Sequence, residues 1–133
     1  MKTMTIAYIS TLVVFVAIDF IWLSTMANVL YRPAIGDLLA PTFRLAPAVI
    51  FYLVYAAGLT YFAVRGAVSS GDLTVALVNG ALFGFFAYAT YDLTNQATLK
   101  NWSTTLTIAD LAWGSALSAI AATASTVITR KFG

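Results

Sequence analysis

Three aspartates, Asp19, Asp92 and Asp110, lie inside stretches long and apolar enough to cross a bilayer. An ionised side chain at mid-membrane costs roughly 2.5–3.5 kcal/mol on insertion scales, so an acid placed there is held by partners and marks a functional site. At about 1.5 Å of rise per residue, Asp92 falls roughly 9 Å from the end of its run and Asp110 at a similar depth in the next, with Asp19 roughly 15 Å from the same surface. All three therefore fall in one half of the bilayer and are expected to form one cluster. Carboxylates crowded in low dielectric cannot all carry charge. Such a cluster can relay protons, hold a cation, or serve as an acid/base pair, with Asp92 the acid/base candidate.

Helical phase brings other groups to these acids. Phe85, Tyr88, Asp92 and Asn95 share one stripe at spacings of three and four. Tyr8, Leu12, Phe15, Asp19 and Trp22 share another, and Asp110, Trp113, Gly114 and Leu117 a third. The expected ligand-binding set is Asp19, Trp22, Tyr88, Asp92, Asn95, Asp110 and Trp113. Below it, Tyr8, Tyr52, Tyr55 and Tyr61 are expected to line an apolar channel. Asp19 and Trp22 are one turn apart, as are Asp110 and Trp113, in runs of opposite direction. An inverted repeat would look like this, but a six-residue match favours chance, and the serines Ser24 and Ser115 that complete it are out of phase.

These residues need long helices to position them. Apolar runs of about 20–27 residues span approximately 5–30, 45–64, 73–98 and 105–129, each the length of a membrane helix. Pro47 sits in a first turn, where proline is tolerated. Ser70 or Asp72 can cap the third run, and Ser103 or Thr104 the fourth. The connection from Tyr31 to Arg44 carries Pro33, Gly36 and Pro41, with one short interfacial turn expected over Ala34 to Ala40. The other two links are tight, which makes sequential helices antiparallel neighbours. The fold class is therefore all-α: an integral membrane up-down four-helix transmembrane bundle, a single domain over residues 1–133. The first run is expected to be a span rather than a cleaved signal, because it is too long and Asp19 interrupts it.

Composition removes many functions. The chain is 61% hydrophobic and 9% charged, against about a quarter charged for a soluble domain. There is no cysteine and no histidine, so thiol nucleophiles, disulfides, the commonest general base and the usual zinc and haem ligands are excluded. Asp19, Asp92, Asp110 and Asn95 are hard oxygen ligands, but no spacing motif marks a metal site, so neither metal nor cofactor is expected. The basic residues are scattered singly at helix ends, which argues against nucleic acid. Lys2, Arg65, Arg130 and Lys131 fall on the side of the termini, and Arg32, Arg44 and Lys100 on the other. This small excess favours cytoplasmic termini and also suits dual topology. Arg44 and Lys100 are near enough to the acids to reach toward them. Trp102 reads as an interface anchor, and the sequon Asn101-Trp102-Ser103 as an accident.

The segment from Tyr88 to Thr98, with Trp102 and the run Asp110-Leu111-Ala112-Trp113-Gly114, resembles a family of small bacterial inner-membrane proteins catalogued as domain of unknown function 2177. So does Ala17-Ile18-Asp19-Phe20-Ile21-Trp22-Leu23. The resemblance covers essentially the whole chain. It implies a four-helix protein of the bacterial inner membrane and places Asp19, Trp22, Asp92, Asn95, Asp110 and Trp113 in its recurring pattern. It implies no activity.

Three functions compete on this reading. The first is an intramembrane pocket that binds, or modifies, a lipid headgroup or small amphiphile, with Asn95 orienting the ligand and membrane lipids as the partners. The second is a proton-coupled transporter or channel acting as a homodimer, with Asp19 as the coupling acid. The third is an accessory subunit of a larger membrane complex, docking through the Gly80/Gly84 ridge, although that spacing is read foremost as close helix packing.

Overall fold

The computed structural model describes residues 2–39 and 44–133. Four helices run through them: α1 (Lys2–Leu38), α2 (Leu45–Ser70), α3 (Leu73–Thr98) and α4 (Thr104–Phe132). Each is long and apolar enough to cross a membrane. The described residues contain no strand.

The interior of the bundle is built from small and weakly polar residues, among them Ala7, Ala63, Ala122, Ser118, Ser125 and Thr126. Large apolar side chains such as Phe20, Ile21, Val54, Phe86 and Ile108 face outward. This inversion of a soluble core fits a lipid environment. Outward apolar groups cost nothing there, and helix association depends on close backbone approach and hydrogen bonds. The closest approach is between α3 and α4, which share the most extensive interface. A Cβ on Gly80 would lie 2.8 Å from the Ser118 carbonyl oxygen, and one on Gly84 would meet Ser118 and the Gly114 carbonyl. The Gly80/Gly84 ridge is therefore consumed inside the chain, and is not a free face for another subunit as the third reading required.

Helix α1 packs antiparallel to α4. The Thr11 and Ser125 hydroxyls share the Ala7 carbonyl, at 2.7 and 3.0 Å. Nearer the other end, Asp19 meets Trp113.

The connection between α2 and α3 turns at Gly71, whose φ of +71° is the left-handed conformation that glycine adopts without strain. Asp72 then caps α3, accepting the Thr74 N–H at 2.9 Å. Ser103 caps α4 by accepting the Leu106 N–H at 3.2 Å.

Helix α1 runs further than the sequence pattern suggested. It continues through a π turn at Ala27–Tyr31, an α turn at Arg32–Ile35 and a 3₁₀ turn at Gly36–Leu38. Pro33 explains the irregularity. It has no N–H to donate, and its ring would collide with the carbonyl one turn back in a regular α-helix, so a wider turn precedes it. The residues expected to form a separate interfacial turn are mostly the end of α1 itself; Ala40 and Pro41 lie outside the described residues.

Candidate functional site: an intramembrane carboxyl cluster

The site lies where α1, α3 and α4 meet, toward the end of the bundle opposite the termini. Asp19 of α1 is buried, and both its oxygens are occupied. One accepts the Tyr52 hydroxyl of α2 at 2.5 Å, the other the Trp113 indole N–H of α4 at 3.2 Å. Asp110 of α4 is also buried and accepts the Tyr31 hydroxyl at 2.8 Å. The Tyr31 oxygen in turn accepts the Trp22 indole N–H at 3.0 Å. The two indoles stack face to face, with centroids 4.2 Å apart and planes within 8°. Each tryptophan thus sits one turn from its own aspartate and serves the aspartate of the opposite helix, Trp113 directly and Trp22 through Tyr31.

Tyr31 is the member that sequence reasoning missed. Read as the start of a loop, it had no helical phase. Nine residues of regular α-helix would place it on the face opposite Trp22, and the π turn reduces that rotation by about a quarter-turn. The available signal was Pro33, which predicts an irregular turn just before it.

Asp92 of α3 is fully buried, and neither of its oxygens accepts a hydrogen bond from a donor among the described residues. Its facing neighbour is the Asp110 carboxyl. Two carboxyls can be joined by a hydrogen bond only if one carries a proton, so this pair can hold a proton or share a cation. No Lys or Arg bears on Asp19 or Asp92. Arg44 and Lys100, expected to reach toward the acids, are exposed.

Beside the pair lies a cavity of about 280 Å³, lined by Phe51, Tyr55, Ala87, Tyr88, Tyr91 and Asp110. Tyr88 lies across Gly114, where any Cβ would strike its ring, so this glycine is the seat of the tyrosine. Tyr55 meets Tyr88 edge to face at 6.2 Å and is anchored through its hydroxyl to Ser118 at 2.7 Å. Phe51 of α2 and Tyr91 of α3 are the exposed members of this lining and form its mouth. Trp102 packs edge-on against Tyr91 at 5.8 Å and donates its indole N–H to Thr107 at 2.9 Å, so it props the rim of the cavity.

The structure thus brings together Asp19, Trp22, Tyr88, Asp92, Asp110 and Trp113. Asn95 is half-buried one turn beyond Asp92, and its amide makes no hydrogen bond to the cluster. Phe85 points outward. Of the four tyrosines expected below the cluster, Tyr52 binds Asp19 and Tyr55 lines the cavity. Tyr8 instead donates to the Leu53 carbonyl at 3.0 Å, and exposed Tyr61 lies under the Arg65 guanidinium at 4.0 Å. No group of three acids among the described residues is arranged to hold a metal ion. Tryptophan and tyrosine donors tie Asp19 and Asp110 together.

A family model described as predicted membrane protein, DUF2177, matches residues 4–127. The chain belongs to the DUF2177 family. The match takes in the second and third spans, most of the first and fourth, and every residue of the cluster and cavity of this DUF2177 protein. No curated protein and no solved structure matches it.

Proposed function

We propose that this membrane protein binds the head of an amphiphile in the cavity between α2 and α3, with the Asp92–Asp110 pair at its polar end. One observation carries the reading: a mostly aromatic cavity has buried Asp110 in its wall, with Asp92 beside it. A binding pocket is mostly apolar with a few convergent polar groups that fix orientation. At about 280 Å³ the cavity takes a headgroup and its first carbons rather than a whole lipid. A second groove, between α1 and α2 and lined by Leu12, Val13, Val16, Ala17, Val49, Tyr52 and Leu53, is apolar and suits an acyl chain.

The protein belongs, on this reading, in the bacterial inner membrane with its termini in the cytoplasm, as the small excess of basic residues on that side favours. The dimeric-transporter reading has less support. Its coupling acid, Asp19, already has both oxygens hydrogen-bonded within one chain. Asp92, with neither oxygen so held, is the better candidate for exchange with a ligand.

Native mass spectrometry of gently solubilised protein, beside the Asp92→Asn variant, tests the proposal. The expected result is a monomer carrying a defined amphiphile that the variant loses while keeping its melting temperature. A variant that retains the same adduct at wild-type occupancy refutes the assignment, and a ligand-free dimer turns the argument to transport.

A further inference from the structure

The chemistry of the cavity points to the sign of the charge it takes. Among the described residues, four of the six that line it are aromatic, Phe51, Tyr55, Tyr88 and Tyr91, and the only charged one is Asp110. Behind Asp110 stands Asp92, fully buried and with no donor on either oxygen. Among the described residues none of the lining is basic, so none of them neutralises an anionic or phosphate head. Aromatic faces attract cations through the ring quadrupole, most strongly where water is excluded, and such walls recognise quaternary ammonium groups. A carboxyl at the end of the box adds direct charge complementarity.

We propose that the cavity is a cation box: it binds an alkylammonium head, with the Phe51, Tyr55, Tyr88 and Tyr91 rings around the cation and the Asp110–Asp92 pair as its counter-charge. This rests on the amphiphile-binding reading above and narrows it to one ligand class. The ammonium can come from an aminolipid or from a small free cation without a tail, since the box reads only their shared head. The exposed rings Phe51 and Tyr91 then set how firmly the cation is gripped at the mouth.

The test is binding to the full chain in a neutral maltoside detergent by isothermal titration, with three probes. These are decyltrimethylammonium, decanol as its uncharged counterpart, and choline as a cation without a tail. Decyltrimethylammonium is expected to bind at least tenfold more tightly than decanol, a difference of about 1.4 kcal/mol. Asp110→Asn should cut that preference severalfold, since it removes the charge that lines the cavity and leaves the rings. A double Phe51→Leu, Tyr91→Leu variant removes two exposed rings and keeps the core, so it folds even where the acid variant does not. It should weaken the cation severalfold, as loss of cation–π contacts requires, and leave decanol unchanged. Choline binding as tightly as the tailed cation assigns a free cation as the source, and weak choline binding assigns an aminolipid. Equal binding of decanol and decyltrimethylammonium overturns the cation inference and leaves the amphiphile pocket standing. If none of the three binds, the pocket reading falls too.

Discussion

Tyr31→Phe is the sharpest test of the network, because it deletes one oxygen and keeps the ring. That oxygen accepts from Trp22 at 3.0 Å and donates to Asp110 at 2.8 Å, so two bonds are lost together. Interhelical hydrogen bonds inside membranes average about 0.6 kcal/mol and reach about 1.7 kcal/mol. Two of them set a loss between about 1.2 and 3.4 kcal/mol, with the upper half favoured because buried Asp110 is left short of a donor. No cavity forms, so no packing loss adds to the sum. The assay is reversible unfolding in mixed micelles for wild type, Tyr31→Phe, Trp22→Phe and the double variant. If the bond is real, the cycle returns a coupling energy of about 0.6 kcal/mol or more between the two sites. Circular dichroism supplies a second readout, since stacked indoles give an exciton couplet that should weaken when Trp22 loses its anchor. Destabilisation below about 0.5 kcal/mol with no coupling would place the measurement within the error of independent sites. The Trp22–Tyr31–Asp110 relay would then be wrong.

Other consequences are simpler. Gly84→Ala puts a methyl against Ser118 and the Gly114 backbone and should destabilise the bundle by about 1–3 kcal/mol, whereas Gly36→Ala, whose added methyl meets no described residue within 4 Å, should not raise or lower the unfolding midpoint by more than the scatter of replicates. Gly114→Ala should displace Tyr88, lowering stability by a similar amount of about 1–3 kcal/mol and weakening ligand retention in the mass-spectrometric assay. Gly71→Ala forces an L-residue to φ +71° and should cost about 1–2 kcal/mol in the same unfolding measurement without touching ligand retention.

The sequence carried more of the fold than of the site. Membrane helices announce themselves through length and apolarity, and Asp72 and Ser103 cap as their types and places suggest. The rise per residue also put Asp19, Asp92 and Asp110 in one half of the bilayer, because a regular helix keeps its rise over the few turns involved. It failed where the helix is irregular. The π turn before Pro33 breaks phase, so Tyr31 was invisible. It failed again where partnership depends on the far side of a stripe. Phe85 shares the approximate phase of Asp92, yet a few tens of degrees turn it to the lipid. Gly80 and Gly84, by contrast, have the spacing of close helix packing, and they pack against α4 as that spacing suggests.

The two Asp-x-x-Trp segments show most clearly what spacing conceals. In sequence they are a short coincidence. In the bundle they are reciprocal, since each indole crosses to the other helix's acid and the rings stack between them. The reciprocity is incomplete, and the imbalance separates the roles of the acids. Trp113 reaches Asp19 directly, and Tyr52 takes the second oxygen, so Asp19 is closed off and acts as a clasp joining α1, α2 and α4. Trp22 stops short of Asp110 and needs Tyr31 to finish the link. One Asp110 oxygen is held by that link, while its side chain still lines the cavity and faces Asp92. A buried carboxyl with every lone pair occupied is inert scaffold, whereas one left facing another acid and an open cavity is unsatisfied until a proton or a ligand arrives. By this argument Asp19 holds the bundle and Asp92 with Asp110 does the binding. Asp19→Asn should therefore lower the unfolding midpoint more than Asp92→Asn does, and Asp92→Asn should lose the ligand. The opposite ranking in paired unfolding and retention measurements would reverse the assignment.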